Sequence, residues 1–308
     1  MHSDYDIIII GGGPAGSAAA AFVSRCKWNA LVIDKSMSAG FLGSLSNVSY
    51  FPGFPESISG LELLKRMRRQ AELVGTSFVS DAATQLSGTQ GAFKIITQSG
   101  KGFQTKAIVV ATGASARTNY LQGERELLGR GVSYDVLADG PAVAKRTAAI
   151  VGKTEQAARE ALALARFADH IHFIIPSNKI EANDETLKMI RENKSIETHF
   201  SASLKKINGA DHVKSITVFS NGQEKEIAVV GVFTYVHEYK ATTDFLKDEV
   251  EISQTGTIKV DNKLATATEG VFACGDVLCG KPQIPSIAAS QGLLAGISAH
   301  EFLSAERI

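Results

Sequence analysis

Two separate strand–helix–strand patterns predict an α/β protein in which two parallel-sheet domains are combined. The first pattern opens with the apolar run Ile7–Ile10, continues through an alanine-rich helical segment and ends in ALVIDK. The second begins with RTAAIVG and ends with HIHFII. A continuous run of branched apolar residues is typical of a strand that is buried on both faces of a parallel sheet.

A glycine fingerprint follows the first predicted strand directly. Gly11, Gly13 and Gly16 open a helix predicted from about Pro14 to Arg25. In a dinucleotide site the first glycine makes the tight turn, the second lets the pyrophosphate approach the backbone, and the third lets the helix pack on the strand. The helix N-terminus offers free N–H groups to the phosphates. Asp34, at the end of the second strand, has the spacing of a ribose ligand. The fold class is therefore α/β, with Rossmann-like dinucleotide-binding domains.

Composition excludes several classes of function. The 308 residues include 32 basic and 32 acidic side chains, so no net charge favours nucleic acid or a membrane surface. No apolar run approaches the roughly 20 residues of a membrane helix. The start of the chain lacks signal-peptide organisation, which favours a cytoplasmic location. Three cysteines are too few for a disulfide scaffold. No Cys/His cluster has zinc spacing, so no metal is expected.

Two later motifs give the chain a family resemblance. AIVVATGA contains Thr112 and Gly113, and GVFACGDV contains Gly275 and Asp276. With the fingerprint, and in this order, they resemble the flavoproteins that have two dinucleotide domains. FPGFPESISGLELLKRMRRQAE and ATGASARTNYLQGERELLGRGVSYDVLADG are similar to segments of low-molecular-weight thioredoxin reductases. The resemblance covers nearly the whole chain. It implies FAD, a homodimer, and a thioredoxin-like or other disulfide acceptor.

The resemblance also implies which residues contact FAD. The carboxylate of Asp276 is expected to hold the flavin ribityl chain, and the helix that begins near Pro285 is expected to face the flavin ring. With the fingerprint, the predicted contacts are Gly11, Gly13, Pro14, Ala15, Gly16, Asp34, Lys35, Gly40, Leu42, Asn47, Ala111, Thr112, Gly113, Gly275, Asp276, Pro285, Ser286 and Ile287. The predicted fold is of the three-layer ββα type. Its FAD domain is discontinuous, over residues 1–116 and 242–308, and a degenerate NAD(P)-type domain is inserted at 117–241.

The inserted copy departs from the pattern of a nicotinamide site. Gly152 occupies the first glycine position, but Thr154 occupies the second, where a side chain crowds the pyrophosphate. Glu155 at the helix start would repel a phosphate. Where NADPH-dependent relatives carry basic residues, this chain has IPS at 175–177 and then Glu181. NADPH is therefore not expected. NADH is the alternative, against which Thr154 and the missing acid after the second strand both count.

The cysteines differ from the family pattern too. The Cys-x-x-Cys of the relatives corresponds to Asp135 and Ala138 in SYDVLADG, so the usual dithiol is absent. Cys274 and Cys279 bracket the Gly-Asp motif and are the predicted catalytic pair, since a disulfide there could exchange electrons with the flavin. The alternative for Cys274 is a small buried residue at a strand end.

The electron donor and the final step stay open at this point. The resemblance admits an acidic carrier such as ferredoxin, or a second FAD. The helix LELLKRMRRQAE, with Lys65 and Arg69 on one face, offers a small basic surface for such a carrier, although a solvated helix face is the preferred explanation of this stretch alone. Tyr235 or Tyr239 could stack on a second ring, or pack as ordinary aromatics. The alternatives to disulfide reduction are an electron-transfer flavoprotein or oxidase without a dithiol step, and a non-catalytic flavin-binding sensor.

Overall fold

The computed structural model describes residues 4–36, 40–45, 48, 51–116, 120–236, 239–246, 249–280 and 284–306. The chain divides into two compact units. Unit 1 comprises Met1–Leu45, Phe51–Arg117 and Tyr239–Ile308, and unit 2 comprises Ser46–Tyr50 and Thr118–Glu238. The assignment of these units to an FAD domain and a degenerate nucleotide domain remains a prediction.

The elements of the described residues run as follows. The strands are β1 (Tyr5–Ile10), β2 (Ala30–Asp34), β3 (Ser77–Ser80), β4 (Ala83–Thr89), β5 (Ala92–Thr97), β6 (Gly102–Val110), β7 (Ala114–Ala116), β8 (Val132–Ser133), β9 (Thr147–Val151), β10 (His170–Ile174), β11 (Ile196–His199), β12 (Ser203–Gly209), β13 (Val213–Ser220), β14 (Gln223–Ala228), β15 (Gly231–Thr234), β16 (Tyr239–Ala241) and β17 (Val271–Ala273). The α-helices are α1 (Pro14–Arg25), α2 (Phe41–Ser44), α3 (Gly60–Leu73), α4 (Val136–Asp139), α5 (Glu155–Leu164), α6 (Asp184–Glu192) and α7 (Pro285–Ala305).

Unit 1 is built on a parallel sheet around β1. The parallel strands have the order β3-β2-β1-β6, and β17 pairs with the end of β6. The antiparallel strands β5 and β4 extend the sheet from the beginning of β6. The side chains of β1 alternate between two core layers: Ile7 and Ile9 lie in one, and Ile8 and Ile10 in the other. All four are at most 2% exposed, as a run of branched apolar residues in a central parallel strand predicts.

Helices α1 and α7 pack closely in unit 1 because small residues separate them. A Cβ on Gly292 of α7 would lie 1.9 Å from the carbonyl oxygen of Ala15, and one on Gly296 would lie 3.2 Å from that of Ala19. This close contact fixes the start of α1 against α7. The two helix segments predicted to face FAD therefore belong to one rigid layer.

Unit 2 repeats the parallel arrangement. Its five-stranded sheet has the order β11-β10-β9-β15-β8, with parallel pairing throughout, and β12, β13 and β14 form a separate antiparallel sheet. Ala148, Ile150 and Phe173 contribute to a core that α5 covers. The predicted α/β class with two Rossmann-like domains is confirmed. Among the described residues, no helix combines the length and apolar character that crossing a membrane requires.

Candidate functional site

A cavity opens in unit 1 at the carboxyl ends of the parallel strands. Its volume of about 360 Å³ lies within the range of small-molecule sites, about 300–1,000 Å³. Residues that follow β1, β2, β3 and β6 meet there, as the strand ends of an open α/β sheet should. The predicted FAD contacts that line it are Gly11, Gly13, Pro14, Ala15, Asp34, Lys35, Gly40, Leu42, Ala111, Thr112, Gly113, Gly275, Asp276 and Pro285.

The first glycine turn has the backbone that a pyrophosphate site requires. Gly11 has φ +103°, and a Cβ on it would lie 2.4 Å from the carbonyl oxygen of Ala111, so only glycine fits. Gly13 is the N-cap of α1 and has no side-chain cap, and a Cβ on it would meet no atom of the described residues within 4 Å. Pro14 takes the first helical position, where no N–H is missed. The helix N-terminus thus faces the cavity with its amides available to an anion.

Gly16 has a packing role rather than a lining role. A Cβ there would lie 1.8 Å from the carbonyl oxygen of Gly11 and 3.2 Å from the Ile9 side chain. Because Gly16 has no Cβ, α1 can lie close to β1, which is the function assigned to the third glycine of the fingerprint. Gly16 therefore supports the site without contacting the cavity.

Asp34 is fixed at the edge of the cavity by a backbone donor. Gly12 donates its N–H to Asp34 Oδ1 at 3.0 Å, and a Cβ on Gly12 would lie 3.0 Å from the carboxyl carbon of Asp34. The carboxylate of Asp34 therefore contacts the glycine turn through Oδ1, and its second oxygen is left for a ligand. Gly12 was missed by the fingerprint, which counts only the first, third and sixth positions.

An acid after β3 also reaches the cavity and was not predicted. The carboxylate of Asp81 accepts hydrogen bonds from Ser99 Oγ at 2.5 Å and from the Ala82 N–H at 2.8 Å. The hydrogen bond from Ser99 is the largest cause that lowers the pKa of Asp81 to about 2, so this group is ionised. Because β3 is parallel to β2, the residue after it arrives beside Asp34. The parallel pairing of β3 with β2 was the only signal from which the position of Asp81 could have been predicted.

The Gly-Asp motif enters the cavity from β17. Gly275 donates its N–H to Gln291 Oε1 on α7 at 2.9 Å, so the turn after β17 is tied to the helix that follows. Asp276 and Pro285 line the cavity. Gln291 was not predicted, since it lies two helical turns beyond Pro285 and carries no motif.

The remaining predicted residues lie elsewhere or are not described. Ser286 and Ile287 do not line the cavity, and Ile287 is 44% exposed. Asn47 falls outside the described residues. The lining residues that the sequence did not predict are Ile10, Gly12, Ile33, Ser36, Phe41, Leu64, Asp81, Ala82, Ala83, Ala114, Ser115, Thr242, Phe245 and Ala288.

The two predicted catalytic cysteines differ sharply in environment. Both are thiols and are not joined in a disulfide. Cys274 is completely buried in the core layer beside α1 and α7, and burial raises the pKa of its thiol to about 12. Cys279 is exposed, and its Sγ lies 3.8 Å from the carbonyl oxygen of Asp276. Of the two thiols, Cys279 is the one that a partner can reach.

The second glycine turn, in unit 2, is occupied by side chains of its own. Thr154 is the N-cap of α5, and its Oγ1 accepts from the Ala157 N–H at 3.4 Å. Gly152 is held between neighbours, since a Cβ on it would lie 2.6 Å from Ala157 Cβ and 3.2 Å from Tyr235 Cβ. The first amides of α5 are therefore partly satisfied by the chain, unlike those of α1.

The loop after β10 lies against this turn. The Glu181 N–H donates to the carbonyl oxygen of Lys153 at 2.6 Å, and Lys153 Nζ lies 2.9 Å from Glu181 Oε1. An isolated parallel bridge joins Glu181 to Thr154. Glu181, which the family resemblance sets where NADPH-dependent relatives are basic, is thus tied to the turn before α5.

Glu155 places an anchored negative charge at the start of α5. Its carboxylate accepts from Arg159 Nε at 2.6 Å, from the Asn183 N–H at 2.8 Å and from Thr186 Oγ1 at 2.9 Å. The hydrogen bond from Arg159 is the largest cause that lowers the pKa of Glu155. The structure therefore brings Thr154, Glu155 and Glu181 together at one turn. Asn183, which completes the group, was not predicted.

The segment that replaces Cys-x-x-Cys has a structural function. Asp135 is the N-cap of α4, and its Oδ1 accepts from the Ala138 N–H at 3.0 Å. Both positions of the missing dithiol are used to begin a short helix. Ser133 Oγ also donates to Asp139 Oδ2 at 2.7 Å, which closes the turn.

The basic helix predicted for a carrier and the tyrosines predicted for a second flavin make internal contacts in the structure. On α3, Arg66 pairs with Glu62 at 3.0 Å, and Arg68 pairs with Glu72 at 2.9 Å. Of the predicted basic face, Arg69 lies 3.9 Å from Glu72, so an acid on the same helix offsets part of that face. The hydroxyls of Tyr235 and Tyr239 are buried. Tyr235 packs against the core of unit 2, and burial raises the pKa of its hydroxyl.

Comparisons with known proteins agree with the fold. A family model for pyridine nucleotide-disulphide oxidoreductases matches residues 5–292. The thioredoxin reductase of Aquifex aeolicus (strain VF5) is 36% identical over 305 residues, which cover 98% of this chain and 94% of that protein. That of Treponema pallidum (strain Nichols) is 30% identical, with 98% of each covered. The crystal structure of thioredoxin reductase from Streptococcus pyogenes MGAS5005 matches with TM-score 0.92, 26% identity and 98% of each chain covered.

The fold and the unit 1 cavity define a flavin-dependent oxidoreductase with two Rossmann-like domains. The chain belongs to the pyridine nucleotide-disulphide oxidoreductase family, and its homologues are thioredoxin reductases. Membership implies FAD, and the residues present fit it: an uncapped helix N-terminus, a glycine turn with room for phosphate, and a carboxylate after the second strand. The predicted family is thereby confirmed.

Proposed function

We propose that this protein is a thioredoxin reductase-like FAD enzyme that reduces a disulfide with electrons from a protein carrier rather than from NADPH. The observation that carries the proposal is the occupied turn of unit 2. There, Thr154 caps the helix, Glu155 presents a fixed carboxylate, and Glu181 is bonded across the turn. A phosphate at that helix start would meet a capped amide and two anchored carboxylates, whereas the turn of unit 1 has no side-chain cap.

FAD supplies the redox chemistry of the enzyme, since its ring accepts and releases the electrons. In our proposal the amides at the start of α1 and Gly13 hold the pyrophosphate, and Asp34 binds the ribose. Asp276 holds the chain that leads to the flavin ring, as the family resemblance implies. Gln291 keeps the turn before Asp276 in place through Gly275.

The absence of NADPH use is tested by anaerobic stopped-flow absorbance of the purified FAD protein. We expect the flavin band to stay unbleached on mixing with NADPH or NADH, and to bleach on photoreduction, which shows that the flavin is competent. Rapid bleaching by micromolar NADPH would contradict the proposal.

A disulfide is the proposed acceptor because the similar proteins of Aquifex aeolicus and Treponema pallidum are thioredoxin reductases. In this chain Cys274 and Cys279 remain the candidate redox pair, with Cys279 as the group that meets a thioredoxin-like partner. Free thiols are counted before and after photoreduction. A gain of two thiols in the wild type and in Cys26→Ser, with no gain in Cys279→Ser, supports the pair. An unchanged count in the wild type would exclude it.

A second candidate function follows from the burial of Cys274. A thiol with a pKa of about 12 has almost no thiolate at neutral pH, and the thiolate is the reactive species. The enzyme would then be an electron-transfer flavoprotein or oxidase without a dithiol step. Steady turnover of oxygen or ferricyanide by Cys279→Ser, at the wild-type rate, distinguishes this function from disulfide reduction.

The donor, the stoichiometry of flavin and the assembly are parts of the same proposal. An acidic carrier such as ferredoxin is the proposed donor, although the ion pairs on α3 reduce the case for docking there.

The FAD-to-protein ratio of purified material tests whether a second FAD is bound: one per chain is expected if Tyr235 is a packing residue. A homodimer is expected by resemblance, and sedimentation of the FAD protein measures it.

A further inference from the structure

Four donor side chains converge on one face of the parallel sheet of unit 2. His170 and His172 are two residues apart on β10, and Glu197 and His199 are two apart on β11. Residues two apart on a strand point to the same face. The parallel register places His172 beside Glu197, so the two pairs meet. Ile171, between the histidines, points into the core instead.

The distances among three of these side chains are compatible with a metal centre, because one ligand atom each from His170, His172 and Glu197 all lie within 4.8 Å of one another. Glu197 Oε2 lies 3.1 Å from His170 Nε2 and 3.3 Å from His172 Nδ1. His199 Nε2 lies 3.4 Å from Glu197 Oε1 and 3.0 Å from His172 Nδ1. Nitrogen and oxygen ligands of tetrahedral Zn²⁺, at roughly 2.0–2.2 Å from the ion, stand about 3.3–3.6 Å from one another. The measured contacts lie at or just below that separation.

Hydrogen bonding between neutral rings does not satisfy these contacts. If His172 Nδ1 carries the proton, it can donate to His199 or to Glu197. His199 Nε2 and the carboxylate then face each other as two acceptors. A proton on His199 Nε2 instead leaves His172 Nδ1 and the carboxylate as facing acceptors. With protons on both nitrogens, the two N–H groups face each other across 3.0 Å. A cation bound to His172 Nδ1 and Glu197 Oε2 accepts electron pairs from both, and a proton on His199 Nε2 can then be donated to Glu197 Oε1.

The environment keeps the rings available as ligands. His172 is 14% exposed and His199 is 21% exposed. Burial, which is the largest cause, lowers the pKa of His172 to about 4 and lowers that of His199, with Lys225 contributing to both. Each ring is thus largely shielded from solvent where β10 and β11 meet.

We propose that unit 2 carries a binding site for one divalent transition-metal ion, formed by His170, His172 and Glu197, with His199 beside it. Imidazole nitrogens suit zinc, cobalt and nickel, and two imidazoles with one carboxylate supply three ligands of a tetrahedral set. The fourth position is then left for water or another small ligand. The ion would join β11, the edge strand of the sheet, to β10. The ligands come from two strands that are adjacent in space, which is why no sequence spacing predicted a metal.

The test uses Co²⁺ as the probe, on chelator-treated full-length protein that retains its flavin. We expect one equivalent of Co²⁺ to give the d–d absorption of a tetrahedral centre, at wavelengths longer than the flavin bands. His172→Ala and Glu197→Gln should weaken binding by at least about 100-fold, since loss of a group that merely orients a ligand already costs about 10- to 100-fold. His212→Ala, which removes an exposed histidine outside the cluster, should bind like the wild type.

A second readout keeps the proposal testable if His172→Ala folds poorly. Glu197 is 50% exposed, so Glu197→Gln should fold normally, which circular dichroism and flavin content check. Zn²⁺ should then raise the melting temperature of the wild type and of His212→Ala, but not that of Glu197→Gln. The absence of a saturable Co²⁺ spectrum would overturn the proposal. Unchanged affinity in Glu197→Gln and His172→Ala would also overturn it, by placing the ion elsewhere.

Discussion

Three glycines of one turn serve three different physical purposes. Gly11 permits a positive φ against the Ala111 carbonyl, Gly13 leaves open space in front of the helix, and Gly16 permits the helix to approach the strand. The sequence spacing predicted all three purposes because each follows from the same strand–turn–helix geometry.

Substitutions at two of these glycines should separate folding from cofactor binding. Gly16→Ala puts a methyl group 1.8 Å from a backbone oxygen, so we expect it to lower the free energy of unfolding by about 1–3 kcal/mol or more. Gly13→Ala adds its methyl to open space at φ −67°, so the deflavinated protein should change by less than about 0.5 kcal/mol while FAD content falls. Urea unfolding and the flavin-to-protein ratio measure both effects. Full FAD occupancy in Gly13→Ala would refute its assigned contact with the pyrophosphate.

The buried ring of His172 should make stability depend on pH. In an unfolded chain its pKa is near 6.5, and in the folded protein it is about 4. Between these values the unfolded state binds a proton that the folded state does not, so stability falls as the pH drops from about 6.5 to 4. The groups around the ring are His170, Glu197, His199 and Lys225. The contribution of His172 is on the order of 3 kcal/mol.

Urea unfolding of metal-free protein over this pH range measures the effect. His172→Gln should flatten the curve relative to the wild type, and His212→Gln should leave it unchanged. If His172→Gln loses stability with falling pH as steeply as the wild type does, the ring is not held neutral by the fold.

At the scale of elements, the sequence predicted the parts whose chemistry is local. The β1–α1 turn, the end of β2 and the Gly-Asp turn all reach the cavity as expected. Asp81 and Gln291 were missed because only tertiary pairing brings them there, one through the β2–β3 register and the other through a helix face. The histidine cluster was missed for the same reason, since His170 and Glu197 are 27 residues apart in the sequence and meet across β10 and β11.

Helix α6 offers a test of the network that fills the turn of unit 2. Asn183 caps α6 by accepting from the Thr186 N–H at 2.8 Å, and its side-chain amide donates to Glu155 at 2.9 Å. Asn183→Ala should therefore lower the free energy of unfolding by about 1–2 kcal/mol. Asn183→Ser keeps an N-cap acceptor but loses the bond to Glu155, so its loss should be smaller. Guanidinium unfolding measures both, and equal losses would mean that the cap contributes little.

At the scale of the whole molecule, one chain contains two copies of a nucleotide-binding arrangement that have diverged in opposite directions. In unit 1 the backbone leaves space and uncapped amides in front of α1. In unit 2 a hydroxyl, a carboxylate and a loop acid take the equivalent place before α5. The parallel-sheet fold is common to both units, so the difference in nucleotide binding that we propose depends on a few side chains at one turn.

This asymmetry predicts how the two nucleotides affect stability. A ligand that binds the folded state alone stabilises it by about 2.7 kcal/mol when present at 100 times its Kd. FAD added to deflavinated protein at that excess should raise the free energy of unfolding by this amount. NADPH should be added to FAD-saturated protein, because FAD then blocks its entry into the unit 1 cavity. At the same concentration, NADPH should change the free energy of unfolding by less than about 0.5 kcal/mol. Thermal unfolding followed by circular dichroism measures both. A stabilisation by NADPH comparable to that by FAD would mean that a pyrophosphate can displace Glu155 and Glu181 from the turn, and the proposed dependence on a protein carrier would fail with it.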